Sequence, residues 1–438
     1  MGLYHIKTFG CQMNEHDSEI LAGILEKMGY APVHDVDKAD IILLNTCCVR
    51  ETAEHKVFSY LGRLRSLKEK NPDLIIGVCG CMTQQEGMAS RIRHLFPYVD
   101  LVFGTHNLHR LEEYLTRISG AREHVVEIWP SPGSITEGLP IKRKAGVSAW
   151  VTIMYGCNNY CTYCIVPYVR GRERSRRPEE IIAEVKALAQ NGFKEITLLG
   201  QNVNSYGKDL EERLDFAELL KRLEEIERIE RIRYMTSHPR DFNDQLIETI
   251  ASSSKVCEHF HLPVQAGSNK ILKKMNRGYT REDYLNLVAK IKTVLPRSTI
   301  TTDIMVGFPG ETDDDFEQTL DLVRQVRFDS AYTFIYNTRQ GTPASKMAEQ
   351  VPEENKRQRI QTLIRLQNGI SLEKNREYVG STEEILVEGK KVKDELYLCG
   401  RNRGGKMVFF PGEESLISQI VPVKIEKAHL THLVGCRV

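Results

Sequence analysis

The chain is 438 residues long, enough for about three domains at about 150 residues each. Its 60 Lys and Arg balance 59 Asp and Glu, and 41% of residues are hydrophobic, which excludes a disordered chain and a polybasic nucleic-acid tail. No apolar run approaches the about 18 residues of a membrane helix, and the start Met1-Gly-Leu-Tyr-His-Ile lacks a signal-peptide pattern, so a cytoplasmic protein with no membrane partner is expected. Disulfides are rare in that compartment, so the 11 cysteines turn attention to metal or redox chemistry.

In chain order, residues 4–9 read as a strand, 18–28 as an amphipathic helix closing at Gly29, and 41–45 as a buried strand. A long helix over 51–70 is stopped by Asn71-Pro72, and further strands follow at 74–78 and 101–103. Alternation of this kind predicts an α/β domain over residues 1–128 with a Rossmann-like or flavodoxin-like parallel sheet. Residues 129–142, dense in Pro, Gly and Ser, read as a linker. Over 143–374 the alternation repeats six times, with strands at 150–155, 195–199, 231–236, 259–262, 299–306 and 331–336. Six units are too few for a full eight-fold barrel, which predicts an open, partial (β/α)6 barrel with its functional loops at the C-terminal strand ends. Residues 375–438 change to short β runs at 384–388, 396–399, 406–410 and 420–425, separated by Gly- and Lys-rich turns, which predicts a small OB-like β-barrel.

The cysteines cluster. Cys157-Asn-Asn-Tyr-Cys161-Thr-Tyr-Cys164 directly follows the first strand of the second segment. Three thiolates at this spacing suit three corners of a cubane iron-sulfur cluster, and with no fourth Cys nearby one iron is left open. Zinc is the competing reading, but zinc wants a fourth protein ligand and a paired spacing. Three more thiols, Cys11, Cys47 and Cys81, each follow one of the first three strands. The C-terminal strand ends of a parallel sheet share one edge, so these thiols should converge where ligands bind. Cys79 extends its strand and reads as packing, whereas between Cys47 and Cys48 the residues alone do not decide. Cys257, Cys399 and Cys436 stand alone and read as structural.

A Cys-x3-Cys-x2-Cys loop after the first strand of a partial barrel resembles the radical S-adenosylmethionine (SAM) superfamily. The stretches Thr8-Phe-Gly-Cys11-Gln-Met-Asn14 with Asp17-Ser-Glu19, Asn45-Thr-Cys47 and Gly80-Cys81-Met82 narrow the likeness to its methylthiotransferase family. So does the run from Met154 to Ser175, and the last segment resembles that family's TRAM RNA-binding module. Cys48, Cys79 and Ala266 depart from the family's usual residues. The resemblance implies two 4Fe-4S clusters, one on Cys157, Cys161 and Cys164 and an auxiliary one on Cys11, Cys47 and Cys81, which selects Cys47 over Cys48. It implies SAM in two roles, methyl donor and source of a 5′-deoxyadenosyl radical, with both open irons facing one cavity. The implied reaction places a methylthio group on carbon 2 of the isopentenylated adenosine 3′ of the anticodon, at tRNA position 37. Related activities on a threonylcarbamoyl-modified adenosine or a ribosomal-protein aspartate are alternatives, as is an RNA-binding iron-sulfur electron carrier without turnover.

By the same resemblance, candidate SAM contacts are Tyr163, Gly200, Gln201, Asn202, Ser237, Gln265, Asp303 and Gly307, each in the cluster loop or near a barrel strand end. No general base stands out; His238 and His261 read equally well as core histidines. Five arginines in eight residues, Arg170, Arg172, Arg174, Arg176 and Arg177, with Tyr168 beside them, suggest contact with the phosphates and a base of a tRNA anticodon stem-loop. Lys390, Lys391, Lys393, Arg401, Arg403 and Lys406 form a second basic candidate. A monomer is expected, served by a flavodoxin- or ferredoxin-like electron donor and by a sulfur donor that the residues do not identify.

Overall fold

The computed structural model describes residues 2–48, 51–212, 214–391 and 394–438. It begins β1 (Leu3–Phe9), α1 (Gln12–Lys27), β2 (Ala31–Pro32), β3 (Ile41–Thr46), α2 (Glu51–Lys70) and β4 (Ile75–Gly80). α3 (Met88–Leu95), β5 (Leu101–Phe103), α4 (Leu111–Ala121) and β6 (Val125–Glu127) follow. The strands form one parallel sheet in the order β2-β1-β3-β4-β5-β6, the flavodoxin-like arrangement. β3 and β4 are buried at every residue because apolar side chains pack on both faces of the sheet. Ile20, Leu21, Ile24, Leu111 and Leu115 cover one face, and Val57, Leu61, Leu64, Met88 and Ile92 the other. The edge strands β2 and β6 carry only two and three residues, too few to show a period.

Residues 129–142 take no helix or strand, yet they pack rather than trail. Leu139 and Ile141 join the core beside α1, and the Pro140 carbonyl lies so close to Gly23 that a Cβ there would stand 2.3 Å from it.

The next elements are β7 (Ser148–Thr152), β8 (Met154–Tyr155), α5 (Val166–Arg170), β9 (Arg174–Ser175), α6 (Pro178–Gln190), β10 (Glu195–Leu199), α7 (Phe216–Glu224) and β11 (Arg231–Tyr234). After them come α8 (Asp244–Ser252), β12 (His259–His261), α9 (Asn269–Lys274), α10 (Arg281–Val294), β13 (Thr299–Val306), α11 (Asp313–Val326), β14 (Ser330–Ile335) and α12 (Glu353–Arg376). Two three-stranded parallel sheets, β11-β10-β7 and β12-β13-β14, are joined by a parallel bridge between Ile232 and Val256. The strand expected at 150–155 is in fact two pieces: β7 pairs with β10, whereas Met154 and Tyr155 pair antiparallel with Ser175 and Arg174.

β15 (Thr382–Lys391), β16 (Asp394–Arg401), β17 (Met407–Pro411), β18 (Ile420–Ala428) and β19 (Leu433–Arg437) close a five-stranded barrel in the order β15-β16-β17-β19-β18. β18 shows the period of two: Val421, Val423 and Ile425 point inward, with Pro422, Lys424 and Glu426 exposed between them. β19, which sequence periodicity does not mark, completes the closure.

The chain divides into two units. One holds Met1–Ala145, Met154–Asn158 and Cys164–Arg176; the other holds Gly146–Ile153, Asn159–Tyr163 and Arg177–Val438. Among the described residues no helix is long and apolar enough to cross a membrane.

Candidate functional site

In the first unit, Cys11, Cys47 and Cys81 follow β1, β3 and β4, three neighbouring strands of the sheet. Cys11 is the N-cap of α1 and is exposed, whereas Cys47 and Cys81 are buried. Cys81 leaves the strand through Gly80, whose φ of +100° and 2.4 Å clearance from the Thr46 carbonyl admit no side chain. The start of α1 is bolted to the end of β3. Asn14 Nδ2 donates to Asn45 Oδ1 (3.0 Å) and the Thr46 carbonyl (3.1 Å), and Asn45 Nδ2 donates back to the Asn14 carbonyl (2.8 Å) and Ser18 Oγ (2.9 Å).

A buried arginine lies among these thiols. Arg170 Nε lies 3.2 Å from Cys81 Sγ, and its Nη2 donates to Asp17 Oδ2 at 2.6 Å. A hydrogen bond from Cys47 pulls the Cys11 thiol down to about 6 against the effect of burial, with Arg170 helping. A hydrogen bond from Cys48 lowers Cys81, again against burial and with Arg170 helping. The same bond, together with burial, holds Cys48 well above the usual thiol range, and burial raises Cys79. Thiolates bind metal and thiols do not, so these surroundings bias Cys11 and Cys81 toward the metal-binding form and Cys48 and Cys79 toward the protonated one.

The second triplet lies in the loop after β8. Gly156 (φ +80°) brings the backbone so close to residue 172 that a Cβ would stand 2.0 Å from the Arg172 carbonyl. Cys157 N–H then donates to the Gly171 carbonyl at 3.2 Å. In the second unit, Cys161 sits against the turn between α9 and α10. Thr162 N–H donates to the Met275 carbonyl, and Asn276 Nδ2 donates to the carbonyls of Asn159 and Tyr160. Arg277, 4% exposed, points Nη1 at Cys161 Sγ (3.3 Å) and donates Nη2 to the Pro263 carbonyl (2.6 Å). Sequence reasoning missed Arg277. Its one local sign is a turn in which Asn276 and Gly278, on either side of it, both take positive φ.

Among the described residues no three Cys, His, Asp or Glu side chains converge as they would on a single metal ion. A four-iron cubane asks for something else, because each thiolate takes a separate iron. Both triplets fit such a cluster in donor chemistry: each offers three sulfurs, with a buried guanidinium at one of them.

The expected SAM contacts of the second unit lie around the C-terminal ends of β10 to β13. Gly200 and Gln201 are half-buried just after β10. Asn202 is buried and engaged in the protein itself, donating to Asp241 Oδ2 (2.8 Å) and accepting from His238 N–H (3.1 Å). Among the described residues Ser237, which is buried, finds no partner for its Oγ, and His238 Nε2 beside it finds none either. Burial pushes the His238 imidazole far down, so it is neutral. Thr236 and Gln265 hold positive φ, a costly state for side chains of this kind and one that gathers at ligand sites. Gln265 bridges to β13, donating its N–H to the Asp303 carbonyl (2.9 Å). Asp303 Oδ1 lies 3.5 Å from His261 Nε2, and Gly307 (φ +73°) donates its N–H to Glu311 Oε2. Tyr163 Oη stands 3.5 Å from Arg277 Nη1. Orphaned buried polar atoms beside strained strand ends fit a polar ligand.

The arginine run is only partly available to RNA. Arg170 and Arg176 are buried, the first on Asp17 and Cys81, the second with its Nε shared between both Glu137 carboxylate oxygens (2.9 and 3.1 Å), so these two are corrected from RNA contacts to internal ion pairs. Arg174 is half-buried and donates to the Gly133 carbonyl, while Tyr168, Arg172 and Arg177 are exposed. The basic groups of the small barrel are similarly engaged: Lys390 with Glu414, Arg401 with Glu388, Arg403 with Glu258, and Lys406 with Asp329. Lys391 lies over the Tyr397 ring, and Lys393 lies outside the described residues.

Comparison with known proteins agrees with this layout. Residues 3–104 match a model described as Uncharacterized protein family UPF0004, residues 151–323 the Radical SAM superfamily and residues 376–435 the TRAM domain. A tRNA-2-methylthio-N(6)-dimethylallyladenosine synthase of Pelotomaculum thermopropionicum is 65% identical over 436 residues, covering 99% of this chain and 97% of the relative. One from Carboxydothermus hydrogenoformans is 61% identical over 432 residues, covering 99% and 98%. Among solved structures, the radical S-adenosylmethionine methyltransferase TsrM of Kitasatospora setae aligns with a TM-score of 0.58 at 15% identity, over 79% of this chain and 77% of that one, a likeness of fold. Near-complete coverage at such identity assigns the chain: it belongs to the tRNA-2-methylthio-N(6)-dimethylallyladenosine synthase family, within the radical SAM superfamily.

Proposed function

We propose that this chain adds a methylthio group to carbon 2 of the N6-dimethylallyl (isopentenylated) adenosine 3′ of the anticodon, at position 37 of tRNA. The observation that carries the reading is the pair of cysteine triplets, each stopping at three sulfurs and each with a buried arginine on one sulfur. Cys157, Cys161 and Cys164 would hold the radical-generating 4Fe-4S cluster, and Cys11, Cys47 and Cys81 the auxiliary one. Bound there, the clusters supply the electron that cleaves SAM and an iron to carry sulfur, chemistry that no side chain can provide.

The chain's own residues position and shield. Arg277 holds Cys161, and the turn around Asn276 anchors the loop on either side of it. Ser237, neutral His238, the backbone at Gly200 and Gln201 and the side chain of Gln265 would offer polar groups to SAM, with Asn202, Asp303 and Gly307 bracing the strand-end loops. Arg172, Arg174, Arg177 and Tyr168 would meet the anticodon stem-loop, the arginines on phosphates and the tyrosine on a base. We further propose a cytoplasmic monomer reduced by a flavodoxin- or ferredoxin-like donor.

The test is anaerobic reconstitution followed by reaction with SAM, dithionite and hypomodified tRNA. About eight irons per chain, 5′-deoxyadenosine, and a hydrolysate nucleoside heavier by one methylthio group on the dimethylallyl base are expected. A mass gain on threonylcarbamoyladenosine instead would redirect the substrate, and iron without 5′-deoxyadenosine would leave an electron carrier.

A further inference from the structure

We infer that Arg170 is a positioning residue for the Cys11, Cys47 and Cys81 site: it fixes the Cys81 thiolate by a charged hydrogen bond and, opposed by Asp17, sets how readily a cluster on those thiolates accepts an electron. The inference rests on the reading of these cysteines as cluster ligands.

Arg170 ends α5, six residues after Cys164, so the chain leaving one triplet closes over the other. Ile165, which caps this short helix, and Val169 within it form an apolar cluster with Cys48 and Cys81, which dries the sulfur and turns the guanidinium inward. Arg170 is 4% exposed and Asp17 1% exposed, and they meet at 2.6 Å while Nε of the same fork reaches Cys81 Sγ at 3.2 Å. A guanidinium cannot shed its proton, so this positive charge is permanent. Among the described residues Asp17 Oδ1 is buried with no hydrogen-bond partner, and Asp17 Oδ2 accepts from Arg170.

Cluster potentials follow net charge, hydrogen bonds to sulfur and burial. Reduction adds one negative charge. Arg170 therefore favours the reduced cluster, and Asp17, held close by, takes back part of that effect. The two substitutions must act with opposite sign. Arg170→Gln makes reduction harder, and Asp17→Asn, which leaves the arginine unopposed, makes it easier.

The experiment uses the full chain with Cys157, Cys161 and Cys164 changed to Ala, reconstituted anaerobically and titrated with dithionite and mediators under electron paramagnetic resonance. The parent should hold about four irons. Arg170→Gln should make one-electron reduction about tenfold less favourable, about 59 mV lower, with Arg170→Lys recovering part of the loss. Asp17→Asn should move the potential upward, and it reads the sign even where Arg170→Gln fails to keep its iron. A purely structural role would not yield opposite shifts. Unmoved potentials, or shifts of the same sign, overturn the assignment of Arg170 while leaving the cluster reading intact. A parent that binds no iron overturns both.

Discussion

Cys11 shows what its neighbours do to a single thiol. Its spacing in the sequence identifies a thiol just past a strand, but the pull down to about 6 comes from Cys47 and Arg170, residues 36 and 159 positions away. In metal-free protein, iodoacetamide should therefore label Cys11 with a half-maximal rate near pH 6. The rate rises as the thiolate forms and is flat above pH 7, whereas an ordinary thiol is still climbing near 8.5. Arg170→Gln should shift that profile to higher pH. Cys48 and Cys79, buried and raised, should stay unlabelled across the range. Gly156 makes a second point at this scale. Gly156→Ala forces a Cβ into the Arg172 carbonyl at positive φ, and should cut bound iron from about eight to about four with loss of 5′-deoxyadenosine. Iron analysis of the reconstituted variant checks it.

At the scale of elements, strand ends and helix starts carry the site. β10 and β13 fall where the sequence pattern puts them, because short runs rich in Ile, Val, Leu and Thr that stop at Gly200 and Gly307 suit a strand. The break at residue 153 was not legible there. Whether residues after β7 continue the sheet or form a ribbon depends on Arg174 and Ser175 arriving alongside, a tertiary event. The start of α11 is a capping box in which Thr312 and Asp315 bond reciprocally, and Asp315 also accepts from Ser268 and Lys270. Burial opposes ionisation of Asp315, yet these bonds prevail and lower it to about 2. A depressed carboxylate stabilises the fold above its unfolded value of about 3.9 and loses that contribution as pH falls toward about 2. Urea unfolding should show Asp315→Asn less stable than wild type by a constant margin from pH 7 to about 4, narrowing below. Thr312→Ala should cost about 1 kcal/mol at neutral pH.

At the scale of the whole chain, the small barrel is held to the parallel sheets by buried arginines. Arg233 pairs with Glu195 at 2.7 Å and donates to the carbonyls of Asn402 and Arg403, while Arg231 donates to those of Arg401 and Glu384. Arg233→Ala leaves Glu195 buried without its partner, a loss of about 3–5 kcal/mol. The melting temperature should drop, and limited proteolysis should cut near residues 376–381. Binding of tRNA should respond to the exposed arginines instead: Arg172→Ala should reduce the slope of log affinity against log salt by about 1, and Arg176→Ala should leave that slope unchanged.

The sequence by itself determined the spacing of Cys157, Cys161 and Cys164, the placing of Cys11, Cys81 and the Cys47-Cys48 pair after three strands, the open six-stranded α/β core and the terminal barrel. These are local matters of spacing and period, readable wherever a few consecutive residues carry the chemistry. Only the tertiary structure decided which arginines face solvent, what holds the Cys48 thiol above its usual range, and that Arg170 and Arg277 each reach a cysteine sulfur. The last of these outcomes depends on charges brought together from far along the chain, the Arg170–Cys81 and Arg277–Cys161 pairs being separated by 89 and 116 residues. Such distances leave no local pattern, because the desolvation that makes an arginine structural exists only once the chain has folded around it.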